Sequence, residues 1–295
     1  MTYEKFLEMV TDGLKKRLGD SVALRADTVK KNNGLLLHAL SLHSEDSNIA
    51  PCIYLDTYFS EYEQGELTMN DVLEDIMDIY EQRSIKQNMN IGMIADFEQA
   101  RPYLHARLVN TKMNEQLLIE MPHREFLDLS IIYSVDIPYK KDDIGSVRIN
   151  RNHLAYWDVT EEELYQQAME NMKKDGNGFR SLLDVLGETM DMETGLWEDD
   201  TPLYIVSNKT GVYGAVQMLN KDLMKQAAET FQRDFFILPS SVHECLLFPD
   251  SEQVSADSLK GMVQDANDTI VAVSERLSYS VYRYDCKTGE IQIAA

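Results

Sequence analysis

Cysteine is scarce, with three residues in a chain of 295. Cys52, Cys245 and Cys286 lie far apart, are odd in number and include no C-x-x-C pair. That excludes a disulfide framework and a zinc-ligand spacing. Each cysteine is expected to serve as a small apolar residue in or near a strand. Long apolar runs are missing too, and no stretch approaches the ~20 apolar residues that span a bilayer. The opening segment Met1–Val10 mixes charge into its apolar positions. It lacks the apolar region and cleavage site of a signal peptide. The expectation is a cytoplasmic protein that does not engage membranes.

Basic residues are outnumbered. Lys and Arg total 28 against 50 Asp and Glu, a formal net charge of −22. Binding a polyanion needs clustered Lys and Arg with release of counterions, so nucleic acid is not an expected partner. Anionic membrane surfaces are disfavoured for the same reason. The acids are spread along the chain, which favours a solvated, solubilising surface over an acidic face that imitates DNA. The P-loop, G-x-G-x-x-G, EF-hand, H-E-x-x-H and G-x-S-x-G patterns are all absent. No cofactor, no metal and no catalytic residue is therefore assigned.

The hydrophobic fraction, 44%, is ordinary for a soluble globular chain. The length suits two cores better than one. Helical spacing marks Tyr3–Leu14, with Thr2 as N-cap, and Val72–Tyr80 after Thr68. Thr160-Glu-Glu-Glu163 is a capping box launching a helix through Met172. Further helices are expected from Asn220 to Phe231 and after Ser255, the latter with Ile270 and Val273 on its stripe. Val22–Lys31 and Leu35–His43 flank Asn32-Asn33-Gly34, a turn able to supply positive φ, and read as a hairpin. On that hairpin His38 is expected to be a packed core histidine. Glu125–Ile137 reads as one strand covered on both faces. Leu203–Val206 and Val212–Leu219 read as a strand pair about Ser207–Gly211. Phe235–Leu238 pairs with Cys245–Phe248, and Val281–Tyr284 pairs with Ile291–Ile293. The expected class is α+β: largely antiparallel sheets with helices packed on one face, in two sequential units. The units are placed at 1–150 and 151–295, with an acidic connector near 184–201. Seven acids and no base lie between Asp184 and Asp200.

Reactive side chains concentrate in Pro239-Ser-Ser-Val-His-Glu244. Ser240 or Ser241 with His243 as base would need an orienting acid, and such triads assemble from distant segments. A zinc hydrolase built on His243-Glu244 lacks its second histidine, because Leu247 stands there. Cys245, followed by Leu246-Leu247-Phe248, reads as a buried thiol of little nucleophilicity. The turn reading has Pro239 setting a corner while serine hydroxyls satisfy backbone groups. A second cluster is His123, Arg124 and Asp128, in which Arg124 or His123 is expected to pair with the acid. The candidate polar site is thus Ser240, Ser241, His243, Glu244, His123, Arg124 and Asp128. Trp157 and the asparagines Asn110, Asn114, Asn150, Asn152 and Asn171 are either pocket-lining or, more commonly, capping and turn residues.

Five segments carry a resemblance: Lys31-Asn-Asn-Gly34, Ala50-Pro-Cys-Ile-Tyr-Leu55, Pro122-His-Arg-Glu-Phe-Leu-Asp-Leu129, Leu238-Pro-Ser-Ser-Val-His-Glu244 and Leu277-Ser-Tyr-Ser-Val-Tyr282. With them the chain resembles a bacterial family of unknown function, number 5688. More distantly, Glu163–Asn171 and Pro239–Phe248 resemble another such family, number 1444. That family has Arg where this chain has Ser241. Neither resemblance implies a reaction, a cofactor or catalytic residues; both imply a cytoplasmic bacterial protein. The leading expectation is a non-catalytic protein that binds a protein partner or small ligand, its oligomeric state open. The alternatives are a hydrolase-like enzyme centred on His243 and Glu244, joined by His123 or Asp128, and an acidic DNA-mimic decoy.

Overall fold

A computed structural model describes residues 1–45, 47–48, 50–83, 91–138, 144–182, 185, 203–251 and 254–295. Apart from Val185, the acidic connector falls outside these residues. The chain forms two compact units, one of Met1–Lys31 with Leu35–Ile91 and one of Asn32–Gly34 with Gly92–Ala295. Residue 150 lies inside the second. Every strand pairing among the described residues is antiparallel, and the class is α+β.

In the first unit, α1 (Tyr3–Leu18), α2 (Asp56–Gln64) and α3 (Met69–Arg83) accompany the sheet β1 (Val22–Lys30), β2 (Leu36–Ser44) and β3 (Cys52–Tyr54). Thr2 caps α1 by accepting the Lys5 N–H, and Phe6, Val10 and Leu14 form its buried face. Those side chains pack with Leu40, Leu42, Ile53, Val72 and Ile76. At about 25 cal/mol per Å² of apolar surface removed from water, such a cluster dominates the stability of its unit. The β1–β2 hairpin turns where expected, with Asn33 at φ 58° and Gly34 at φ 70°. His38 departs from expectation. Its side chain is 46% exposed, and its Nδ1 lies 2.7 Å from Asp56 Oδ1. It sits toward the turn end of β2, its ring 4.1 Å from that of Tyr3 at the margin of the core, and takes a carboxylate partner.

The second unit opens with α4 (Phe97–Ala100), followed by the sheet β4 (Leu104–Asn110), β5 (Arg124–Phe126), β6 (Leu129–Pro138) and β7 (Ile144–Arg148), with α5 (Glu115–Leu118) after β4. Strand β6 pairs with all three others and is buried along nearly its whole length. The expected single strand over Glu125–Ile137 is in fact a tight hairpin. It breaks at Leu127, which adopts a left-handed φ of 55°, and Phe126 faces Leu129. The apolar run hides the break because Leu127 is a partly exposed turn residue with no turn chemistry.

Next come α6 (Arg151–Trp157), capped by Asn150, and α7 (Glu161–Asp175), capped by the Thr160–Glu163 box. The last sheet has six strands in the order β13-β12-β10-β11-β9-β8. These are β8 (Gly176–Ser181), β9 (Tyr204–Asn208), β10 (Phe235–Leu238), β11 (Cys245–Pro249), β12 (Tyr282–Asp285) and β13 (Glu290–Ile293). Helices α8 (Lys221–Phe231) and α9 (Ala256–Thr269) accompany it. Ile270 lies past the end of α9 at 82% exposure, off its buried stripe. The expected strand over Val212–Leu219 is a 3-10 turn, Gly214–Leu219, and β9 pairs with β8 and β11 instead. A strand is ruled out locally. Tyr213 is left-handed at φ 55°, and Gly214 is pressed against Ser207, Asn208 and His243 so closely that a Cβ has no room.

Candidate ligand-binding site

The second unit holds a cavity of about 490 Å³, within the range of small-molecule sites. Its floor is the polar face of the four-stranded sheet. His105 and Arg107 are two apart on β4 and so share a face. Asp136 on β6 and Ser146 on β7 are direct register partners. Arg107 is only 8% exposed. Its Nη2 donates to Asp136 Oδ1 at 2.7 Å and to Ser146 Oγ at 2.8 Å. Its Nε and Nη1 make no hydrogen bond among the described residues.

The opposite wall comes from the end of α7 and the segment 208–217. Asp175 Oδ2 stands 3.2 Å from His105 Nδ1. Lys209 Nζ donates to the Lys174 carbonyl at 2.7 Å. Gln217, wholly buried, donates to the Met172 carbonyl at 2.6 Å and holds the 3-10 turn on α7. Apolar surface comes from Ala106, Met172, Val212 and Val216, with Tyr103 and Tyr213 adding rings.

The knot at 239–244 sits behind this wall rather than in it. His243 Nδ1 accepts the Tyr213 N–H at 3.3 Å, and the two rings lie 5.6 Å apart. Ser207 Oγ donates to the His243 carbonyl at 2.8 Å. Ala215 N–H donates to the Val242 carbonyl. The knot thereby fixes the loop that presents Tyr213 to the cavity. Within it Ser241 Oγ accepts the His243 N–H at 3.0 Å, which is turn chemistry of the expected kind. The acid facing His243 is Glu275, 3.6 Å from Nε2, not its neighbour Glu244. Ser240 contributes its carbonyl to the Leu277 N–H. Cys245 is fully buried, and burial pushes its thiol far up, so it is no nucleophile. Cys52 and Cys286, in contrast, are exposed.

His123, Arg124 and Asp128 do not form the expected ion pair. His123 Nδ1 bonds the Met121 carbonyl at 3.0 Å. Arg124 reaches Glu162 at 2.5 Å across the face of Tyr165. That pairing holds the Glu162 carboxyl below its ordinary range and raises the guanidinium. Asp128 collects hydroxyls instead: Ser278 at 2.6 Å, Ser280 at 3.2 Å and the buried Tyr282 phenol. The seven candidate residues therefore divide among separate local networks. Among the described residues the partners of His243 are not those of His123 or Asp128.

The networks of His243 and Asp128 meet on one segment, Val273–Tyr282. Asn32 Nδ2 donates to the Ser274 carbonyl, and Asn33 Nδ2 to the Val273 and Arg276 carbonyls. Asn114 exchanges two hydrogen bonds with Asn33, and Asn110 donates to the Leu277 carbonyl. The knot adds Val242 N–H to Glu275 and Ser278 N–H to Pro239. Asn171, also buried, donates to the Arg101 and Leu104 carbonyls beside the cavity floor. These asparagines satisfy backbone rather than line the pocket. Among the described residues no three His, Cys, Asp or Glu side chains gather as a metal site. No helix there is long and apolar enough to cross a membrane.

Segments 32–34, 122–129, 238–244 and 277–282 thus lie within one unit. The fold so defined is that of a family whose activity is unassigned. A family model described as a family of unknown function, DUF5688, matches residues 3–286, and the chain belongs to that family. The likeness to family 1444 rests on the quoted residues alone. No curated protein matches the chain. No solved structure matches it either.

Sequence reading missed the cavity residues His105, Arg107, Asp136, Asp175, Lys209 and Tyr213. The one available signal was the i, i+2 placement of His105 and Arg107 in a strand whose other residues before Asn110 are apolar.

Proposed function

We propose that this is a non-catalytic, cytoplasmic bacterial protein that binds a small molecule in the cavity of the second unit. One observation carries the reading. Arg107 is almost fully buried at the cavity floor, yet two of its nitrogens have no hydrogen-bond partner among the described residues. Neither nitrogen is among the fully buried polar atoms left without a partner, so both are accessible to solvent, and a ligand acceptor there would take the place of water. Three free thiols agree with a reducing compartment. The DNA-mimic alternative has net charge behind it and no geometric support.

The test is native mass spectrometry of protein purified from its own host, followed by release and identification of bound mass. A stoichiometric small molecule that is lost in Arg107→Met supports the reading. A cavity that stays empty, with no thermal shift from a broad metabolite library, overturns it.

A further inference from the structure

The ligand class follows from the charges around the cavity, and it rests on the small-molecule reading above. We infer that the site takes a zwitterion, a free amino acid or short peptide with an apolar side chain, its carboxylate on Arg107 and its ammonium on Asp175.

Both signs of charge line the cavity and both have unused capacity. Arg107 offers Nε and Nη1, and the Lys209 ammonium has donors beyond the one given to Lys174. With Nη2 of Arg107 given to Asp136 and Ser146, a carboxylate takes a single N–H from that guanidinium and a second from the Lys209 ammonium. On the other side, Asp175 meets His105 through Oδ2, leaving Oδ1 without a hydrogen bond among the described residues. Asp136 likewise uses Oδ1 for Arg107 and Ser134. Two cations and two carboxylates balance locally, although the chain as a whole carries −22.

That balance discriminates among ligands. A simple anion would find Arg107 but would be repelled by the overall field and by two nearby carboxylates. A simple cation would be drawn to acids all over the surface and pushed from this site by Arg107 and Lys209. A zwitterion is neutral in the long-range field and meets a complementary group at each end. Met172, Val212 and Val216 supply the apolar wall for its side chain, beside the rings of Tyr103 and Tyr213.

Isothermal titration with phenylalanine, leucyl-leucine, phenylpropionate and phenethylamine tests this. The two zwitterions should bind about ten-fold or more tighter than either half-ligand, because each half leaves one charged partner unmatched. The ratio between amino acid and dipeptide tells the two sources apart. Arg107→Lys should weaken zwitterions and phenylpropionate about ten-fold and leave phenethylamine unchanged. Asp175→Asn should do the reverse. Asp175 is 40% exposed at a helix end, so that variant tests the idea even if the Arg107 variant fails to fold. Phenylpropionate binding as tightly as phenylalanine overturns the inference. So does the absence of zwitterion binding when fragment soaks place another molecule in the cavity, a result that leaves the small-molecule reading intact. A cavity that accepts nothing sinks both.

Discussion

The guanidinium carbon of Arg107 stands 3.9 Å from the centre of the Tyr213 ring. The same side chain reaches Asp136 at 2.7 Å. It therefore joins the floor of the cavity to its far wall, through a cation–π contact on one side and an ion pair on the other. Arg107→Met strands a carboxylate that is only 19% exposed. The expected cost is about 3 kcal/mol, because removing one partner of a buried pair leaves an uncompensated charge. Adding Asp136→Leu should recover a large part of that loss. Urea denaturation of both variants checks the pair, and equal stability of the single and double variants refutes it.

Gly214 has no space for a side chain. A Cβ there would lie 2.1 Å from Ser207 Oγ, 2.5 Å from the Asn208 nitrogen and 2.7 Å from the His243 carbonyl oxygen. Two of these atoms are backbone and cannot rotate away. Gly214→Ala should cost about 1–3 kcal/mol by overpacking. Ser207→Ala in the same chain should rescue it only in part. Melting temperatures of the two variants decide the matter.

Tyr282 predicts an alkaline limb. Burial, then the Asp128 carboxylate, push its phenol far above the ordinary value. The folded state therefore favours the neutral phenol. The contribution is fully present below the unfolded value of about 10 and is lost as pH rises through and beyond it. Stability should fall above about pH 10, and Tyr282→Phe should flatten that fall while lowering stability at neutral pH. A pH series of denaturation curves reads both effects.

The acid limb comes from the helix caps. Thr68 and Thr160 donate to the carboxylates of Asp71 and Glu163 and hold both below their ordinary range. Carboxyls lowered in the fold contribute above their unfolded values near 4, and the contribution disappears as pH falls through the folded values. Thr160→Val should reduce stability at neutral pH and make it less steep between about pH 4 and pH 2. An unchanged acid slope would count against the box.

Much of the fold was legible because its signals are local. Thr160 with Glu163 announced a helix start, Asn33-Gly34 announced a hairpin, and Val72–Ile76 showed the period of a buried face. Misreadings occurred where tertiary contact overrides the local pattern. Leu127 sits left-handed inside an apolar run because the hairpin needs a turn there, and Leu carries no turn signal. Val212–Leu219 has the composition of a strand, yet crowding at Gly214 coils it. The site was harder still. The knot at 239–244 drew notice for its residue types, and its role is to hold Tyr213 from behind. Arg107 and Asp175 are 68 positions apart, and only the packing of α7 against β4 brings their neighbourhoods together.

The Asp128 carboxylate bears on biosynthesis. Its three hydroxyl partners, Ser278, Ser280 and Tyr282, leave the ribosome some 150 residues after it does. At about 5–20 residues per second, the nascent chain spends many seconds with that acid solvated and the 124–138 hairpin unanchored. Segment 273–282 acts as a late latch, since the asparagine and serine tethers from 32–33, 110 and 239–242 all await it. The second unit can collapse during translation, but it reaches its final register only when the last strands arrive.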